Sequence, residues 1–203
     1  MPFYTGSFLA LLLIGTARPD TVTGSIWEND LTGALDATPA NVPGTTPNVT
    51  FTTSTPINFA SGGLYTIGEF LASGNGSTIL GGSSQLENTL RNTLFDFTGT
   101  VSVTNGETFT VGHDDGLTLV IDSIAVISAP SASKFSTTTA TYSGPTGTFP
   151  FQLVYGECCG APADLSISLP LQSSSTPEPS TVALFGMGLL GLGVSLKRKL
   201  FFR

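Results

Sequence analysis

Gly106-Glu-Thr-Phe-Thr-Val-Gly-His-Asp-Asp-Gly-Leu-Thr-Leu-Val-Ile-Asp122 decides how the chain is read. Phe109 and Val111 alternate with polar neighbours, the period of a strand with one buried face. Asp114-Asp115-Gly116 interrupts that pattern with turn residues. Leu117-Thr-Leu-Val-Ile-Asp122 resumes it, and Ala125-Val-Ile127 predicts a further strand. Upstream, Thr100-Val-Ser-Val-Thr104 alternates Val101 and Val103, and Asn105-Gly106 between the two runs is a hairpin signal. Phe149–Tyr155 and Asp164–Leu169 complete the set. Turn residues recur about every ten positions, the spacing of a β-sandwich. Two short helices are expected, at Ile67–Ala72 and Ser84–Asn92. There is no internal repeat, heptad, phosphate-binding loop or dinucleotide fingerprint.

Composition narrows the function. The chain has 203 residues, enough for one domain with appendages. Fourteen acidic residues face seven basic ones, for a net charge of −7. That excludes a general nucleic-acid binder, which needs clustered Lys and Arg. Charged residues are 10% of the chain, against roughly 25% in ordinary soluble domains. The basic residues are Arg18, Arg91, Lys134, Lys197, Arg198, Lys199 and Arg203. All the acids lie between residues 19 and 196, with only Arg91 and Lys134 to oppose them. Such asymmetry points to targeting segments at the ends.

Phe8-Leu-Ala-Leu-Leu-Leu-Ile-Gly15 has the length of a signal-peptide apolar core and is too short to span a bilayer. Small residues at Gly15 and Ala17 place cleavage after Ala17, so residues 1–17 form a signal segment. No Lys or Arg precedes the run, unlike the usual pattern. A buried strand is the alternative, but Arg18-Pro19-Asp20 would break it. At the other end, a Ser/Pro linker (173–179) precedes an uncharged run, Ser180–Leu196, and a basic tail (197–203). As a helix that run reaches roughly 25 Å, the low limit for a membrane span. Lys197, Arg198 and Lys199 flank it as a cytoplasmic end requires. Gly186, Gly188, Gly191 and Gly193 would weaken a soluble helix there.

Pro177-Glu178-Pro179, the Gly-rich helix and the Lys-Arg-Lys tail, in that order, resemble the PEP-CTERM sorting signal of bacterial surface proteins. The resemblance implies recognition of Pro177, Glu178 and Pro179 by an exosortase, a membrane protease-transpeptidase that removes the helix. The helix is then a temporary inner-membrane anchor, and the mature protein goes to the cell surface or extracellular matrix.

The body, residues 18–172, is expected to be an all-β antiparallel sandwich. Three of its segments are similar to the protective-antigen-type carbohydrate-binding domain, a jelly-roll-like sandwich. They are Phe95-Asp-Phe-Thr-Gly-Thr-Val-Ser-Val103, Gly106–Asp122 and Phe151-Gln-Leu-Val-Tyr-Gly-Glu-Cys-Cys-Gly-Ala-Pro-Ala-Asp-Leu-Ser-Ile167. Gly24-Ser-Ile-Trp27 fits the family's opening strand. In sugar-binding members, paired aspartates at this turn hold Ca²⁺ through a cis peptide bond, and the ion coordinates vicinal sugar hydroxyls. The resemblance would make Asp114 and Asp115 calcium ligands here. The other reading is a β-turn in which the aspartates cap their own backbone. His113, beside the turn, is expected at the surface.

Cys158 and Cys159 are the only cysteines. In an exported chain they pair with each other as a vicinal disulfide, or across chains. A soft metal site would need more thiolate or imidazole ligands than these. With one His and no nucleophile elbow, no catalytic residue is assigned and no enzyme is expected. The overall reading is a non-catalytic surface protein, structural or adhesive in exopolysaccharide or biofilm. The alternatives are a Ca²⁺-dependent lectin binding polysaccharide and a permanently anchored envelope protein. Intact-mass measurement of protein released from the cell surface is expected to give a C-terminus near Pro179. Released protein that keeps Lys197–Lys199 would contradict this.

Overall fold

Strands dominate the chain because apolar residues alternate along it. In order they are β1 (Thr21–Trp27), β2 (Val49–Ser54), β3 (Ile57–Ala60), β4 (Thr78–Gly81), β5 (Thr93–Val103), β6 (Thr108–Asp114), β7 (Leu117–Ile121), β8 (Ile124–Ala129), β9 (Ser136–Thr141), β10 (Gly147–Glu157) and β11 (Asp164–Ile167). Helix α1 (Leu31–Leu35) follows β1, and α2 (Ile67–Ser73) follows β3. This computed structural model describes residues 21–60, 62–63 and 65–171. The expected signal segment, Ser/Pro linker, apolar helix and basic tail lie outside these residues. Among the described residues no helix is long and apolar enough to cross a membrane.

The strands form two antiparallel sheets. One has seven strands in the order β4-β2-β1-β5-β10-β7-β8, and the other has four in the order β3-β11-β6-β9. The longest pairing, β5 with β10, runs from Gly147 opposite Val103 to Glu157 opposite Thr93. Facing sheets bury their inward side chains between them, as in other sandwiches.

An aromatic layer holds the interior. Phe59 of the small sheet stacks on Phe97 of the large one, with ring centroids 6.1 Å apart, and meets Phe51 edge-on at 6.4 Å. Phe70 of α2 stacks on Phe59 at 5.0 Å and on Tyr155 of β10 at 6.1 Å. All five side chains are fully buried. The outer face of the large sheet is partly covered too. Leu94 and Val154 pack with Ala37 in a second, smaller cluster. The backbone of α1 passes so close that a Cβ on Gly156 would lie 2.6 Å from the Ala34 carbonyl oxygen. Residues Leu94 and Val154 are therefore buried although they point away from the main core, and β5 and β10 lose strict alternation there.

Two local expectations are corrected. Asn105-Gly106 does form a turn: Glu107 N donates to Thr104 O at 3.0 Å, and Gly106 has φ +87°. It is not a hairpin. β5 pairs with β1 and β10, whereas β6 pairs with β9 and β11. The turn carries the chain between sheets because Asn105 is fastened elsewhere, its side-chain amide donating to Gly144 O at 2.9 Å and its backbone N–H to Thr146 Oγ1 at 3.0 Å. Ser84–Asn92 is not an α-helix. One 3-10 turn forms at Ser83–Gln85. The following backbone then bonds to the start of α2, with Leu90 N donating to Tyr65 O and Ile67 N to Asn88 O.

The other expected helix is present as α2, closed by a reciprocal cap between Thr66 and Glu69. The β7–β8 hairpin turns on Asp122 (φ 49°) and Ser123 (φ 65°), the left-handed pair that matches strand twist. Truncating a ring at the centre of the aromatic layer leaves a void that the sheets cannot close. Phe59→Ala is expected to lower unfolding free energy by about 3–5 kcal/mol in urea titration. A change under about 1 kcal/mol, within the range of an ordinary surface substitution, would contradict this packing.

Candidate functional site

The strand β6 delivers Asp114 to its end, opposite Asp164 of β11. Asp115 opens the turn into β7, and the peptide bond between the two aspartates is cis. Both side chains are largely buried, 9% and 7% exposed. A buried carboxylate needs hydrogen-bond donors, and here they come from backbone amides. Phe135 N donates to Asp114 Oδ2 at 2.9 Å. Ser133 N donates to Asp115 Oδ1 at 3.0 Å, and Cys158 N to Asp115 Oδ2 at 2.8 Å. One carboxylate thus ties together the loop before β9 and the loop after β10.

Three further contacts fix the turn. The Tyr155 hydroxyl, fully buried, donates to the Asp114 carbonyl oxygen and lies 3.3 Å from Glu157 Oε2. His113 Nδ1 meets the Asp115 carbonyl oxygen, which can only accept, so Nδ1 carries a proton. Its Nε2 lies 2.8 Å from Thr138 Oγ1 and 3.1 Å from Ser136 Oγ. Gly116 is required because a Cβ there would sit 2.0 Å from the Pro130 carbonyl oxygen. His113 is 2% exposed, which corrects the expected surface position. Its hydrogen bonds to the turn and to β9 account for its burial.

The aspartates line an open cleft of about 350 Å³. Ala132–Lys134 form one wall and Cys158–Pro162 the other. Cys158 and Cys159 are joined as a disulfide, with Cys158 buried and Cys159 exposed. Both sulfurs are thereby removed from thiolate chemistry. Cys159 (φ 65°) and Gly160 (φ 108°) turn the chain sharply, and the Ala161–Pro162 bond is cis.

Negative charge is crowded at this end of the sandwich. Burial pushes the Asp114, Asp115 and Asp164 carboxyls above their ordinary values, and the Asp114 charge adds to the rise of the other two. Glu157 is fully buried. Burial first, then the Asp115 and Asp114 charges, push it up to about 9. Among the described residues its Oε1 has no hydrogen-bond partner. Burial and the Glu157 charge push the Tyr155 hydroxyl well above its usual value.

The donor chemistry fits a hard cation. The cleft is lined by two aspartates, whose carboxylates are oxygen ligands of the kind Ca²⁺ takes. The disulfide leaves no thiolate for a softer metal. Among the described residues no three His, Cys, Asp or Glu side chains are grouped to hold a metal. Any remaining ligands would be backbone oxygens or ligand hydroxyls. Sequence reasoning found the aspartates but not the amides of Ser133, Phe135 and Cys158 that position them. A backbone N–H has no residue-type signal, so only the folded loops reveal those donors. Lys134 was visible only as a rare body cation.

Comparison with known proteins bears on the C-terminal segment and on the body. Residues 175–199 match the PEP-CTERM protein-sorting motif, and this segment includes Pro177, Glu178 and Pro179. No curated relative matches the chain. Among solved structures, a PA14 sugar-binding domain from an RTX adhesin is similar, with 20% identity and a TM-score of 0.57 over 75% of this chain and 90% of that one. The PA14 domain of the antifreeze protein MpAFP has 19% identity and a TM-score of 0.54 over 78% of this chain and 88% of that one. The body therefore has a PA14-like fold, the architecture of the protective-antigen type.

Glu157 supplies a pH test. Its folded value lies above its ordinary 4.5, so the fold favours the neutral acid. Its contribution to stability is full below about pH 4.5 and is lost as pH rises towards about 9. Glu157→Gln mimics the neutral acid and removes that dependence. In chelator, urea midpoints are expected to be similar at about pH 5, with the variant the more stable at about pH 8.5. Parallel pH profiles would contradict the buried acid.

Proposed function

We propose that this chain is a non-catalytic, exported protein whose sandwich binds polysaccharide through Ca²⁺ held at Asp114 and Asp115. The supporting observation is that both aspartates line one open cleft in a PA14-like fold. The printed name of one structural neighbour describes a sugar-binding domain, which favours carbohydrate as the ligand class. An acidic body with few basic residues suits cation-dependent rather than phosphate-dependent recognition.

In this reading the protein supplies orientation. The amides of Ser133 and Cys158 aim the Asp115 carboxylate, and that of Phe135 aims Asp114. The Tyr155 hydroxyl and the His113 ring hold the two backbone carbonyls of the turn. Calcium, when bound, supplies the positive charge that coordinates vicinal sugar hydroxyls. The disulfide gives the outer loop a fixed shape, so little ordering is needed when ligand arrives.

The sorting signal accounts for where this binding happens. An exosortase would recognise Pro177–Pro179, and the run 180–196 would serve as a temporary inner-membrane anchor until removal. Delivery to the cell surface or exopolysaccharide matrix follows, where a sugar-binding sandwich acts as a structural or adhesive component. Calorimetric titration of the full-length chain with Ca²⁺ is expected to give a binding heat that Asp114→Asn abolishes, with the folded circular dichroism spectrum retained because the amide oxygen can still accept from Phe135 N. No heat in the wild type, or equal heat in the variant, would contradict the site.

A further inference from the structure

The wall of the cleft opposite the disulfide carries a charge that calcium recognition of a neutral sugar does not use. Lys134 lines the cleft beside both aspartates. It is exposed, and Arg91 is the only other basic residue among the described ones. It is flanked by Ser133 and Phe135, whose amides take up Asp115 and Asp114. The aspartates thus make these hydrogen bonds to the backbone on either side of Lys134, leaving its ammonium at the rim of an acidic cleft.

From this arrangement we infer that the ligand is an acidic pyranose, a hexuronate residue of a polysaccharide, with its carboxylate met by Lys134. The inference rests on the calcium reading of the aspartate pair. A bound divalent ion is the largest local charge in such a site. It offsets the two aspartates of the turn formally, and Lys134 is the one basic side chain lining the cleft. A carboxylate on the sugar gives that ammonium a counter-ion in the cleft, whereas a neutral hexose does not. The rest of the cleft suits a pyranose ring. The disulfide, Ala161 and Pro162 form an apolar wall on one side, a surface for the C–H face of the sugar. Its hydroxyl edge then turns to the aspartates. Apolar walls with a few placed polar groups are the usual make-up of a ligand site.

Binding of the full-length chain to galacturonate oligomers, neutral galactose oligomers and sulfated galactose oligomers in Ca²⁺ separates the outcomes. The expected result is a preference for the uronate over the neutral oligomer of about fivefold, the upper range for an exposed ion pair. The preference should shrink as salt shortens the screening length. Lys134→Ala should remove it without weakening neutral-sugar binding, and Lys134→Arg should keep it. Sulfated oligomers binding as well as uronates would overturn the carboxylate assignment and widen the ligand to any anionic sugar. Equal binding of uronate and neutral oligomers, or equal losses for both in Lys134→Ala, would overturn the inference while leaving the calcium site standing. If no oligomer binds and Ca²⁺ gives no heat, the calcium reading fails and this inference fails with it.

Discussion

The Asp115 carboxylate is the clasp on which the far end of the sandwich depends. It accepts from Ser133 on one loop and from Cys158 on another, while its own backbone carbonyl takes the His113 ring. Without it a buried amide at Cys158 would lose its partner, and unsatisfied buried groups are costly. The clasp also has a cost in charge. Asp114, Asp115, Glu157 and Asp164 are all displaced upwards, with burial the leading cause in each. A site that packs acids this closely is one where a cation relieves repulsion and a proton competes with it. The same contacts therefore serve as architecture and, in the proposed function, as the support of the cation site.

Behind the clasp lies the aromatic layer. Tyr155 belongs to both, with its ring stacked on Phe70 and its hydroxyl on the Asp114 carbonyl. Phe70 in turn packs on Phe59, and Phe59 on Phe97 across the sheets. The cleft is thus anchored to the best-buried part of the molecule rather than to loops alone. Sites supported by packed elements hold their geometry more closely than sites on loops. At the outer loop of the cleft, where Cys159 is exposed, the covalent bond between Cys158 and Cys159 adds stiffness.

Much of the second half of the fold was legible because residue alternation is local. β5 to β8, β10 and β11 follow directly from where Val, Phe, Leu and Ile fall along the chain. β9, Ser-Thr-Thr-Thr-Ala-Thr, was missed because its strand character rests on β-branched Thr with almost no apolar signal. β2, β3, β4 and α1 were missed as well, in a stretch rich in Pro, Gly and Thr where turn signals mask short elements. Asn105-Gly106 was read as a hairpin because the dipeptide reports a turn and not the destination of the chain. The groups that set the destination sit some forty residues away, at Gly144 and Thr146. His113 was misplaced for the same reason, since its partner Thr138 lies on a strand the pattern did not reveal. The aspartate pair was legible through its resemblance to a family motif, but the amides that hold it and the lysine beside it are products of folding.

The central claim is that the Asp114–Asp115 turn is a cation site in a sugar-binding cleft. Anomalous diffraction from crystals of the full-length chain grown with Ca²⁺, or with Tb³⁺ in its place, tests it most directly. The account predicts a single strong peak within bonding distance of oxygens from both aspartates, facing the cleft between Lys134 and the disulfide. A well-ordered turn with no peak there, or with the ion bound elsewhere, would contradict it and leave the aspartates as structural clasps only.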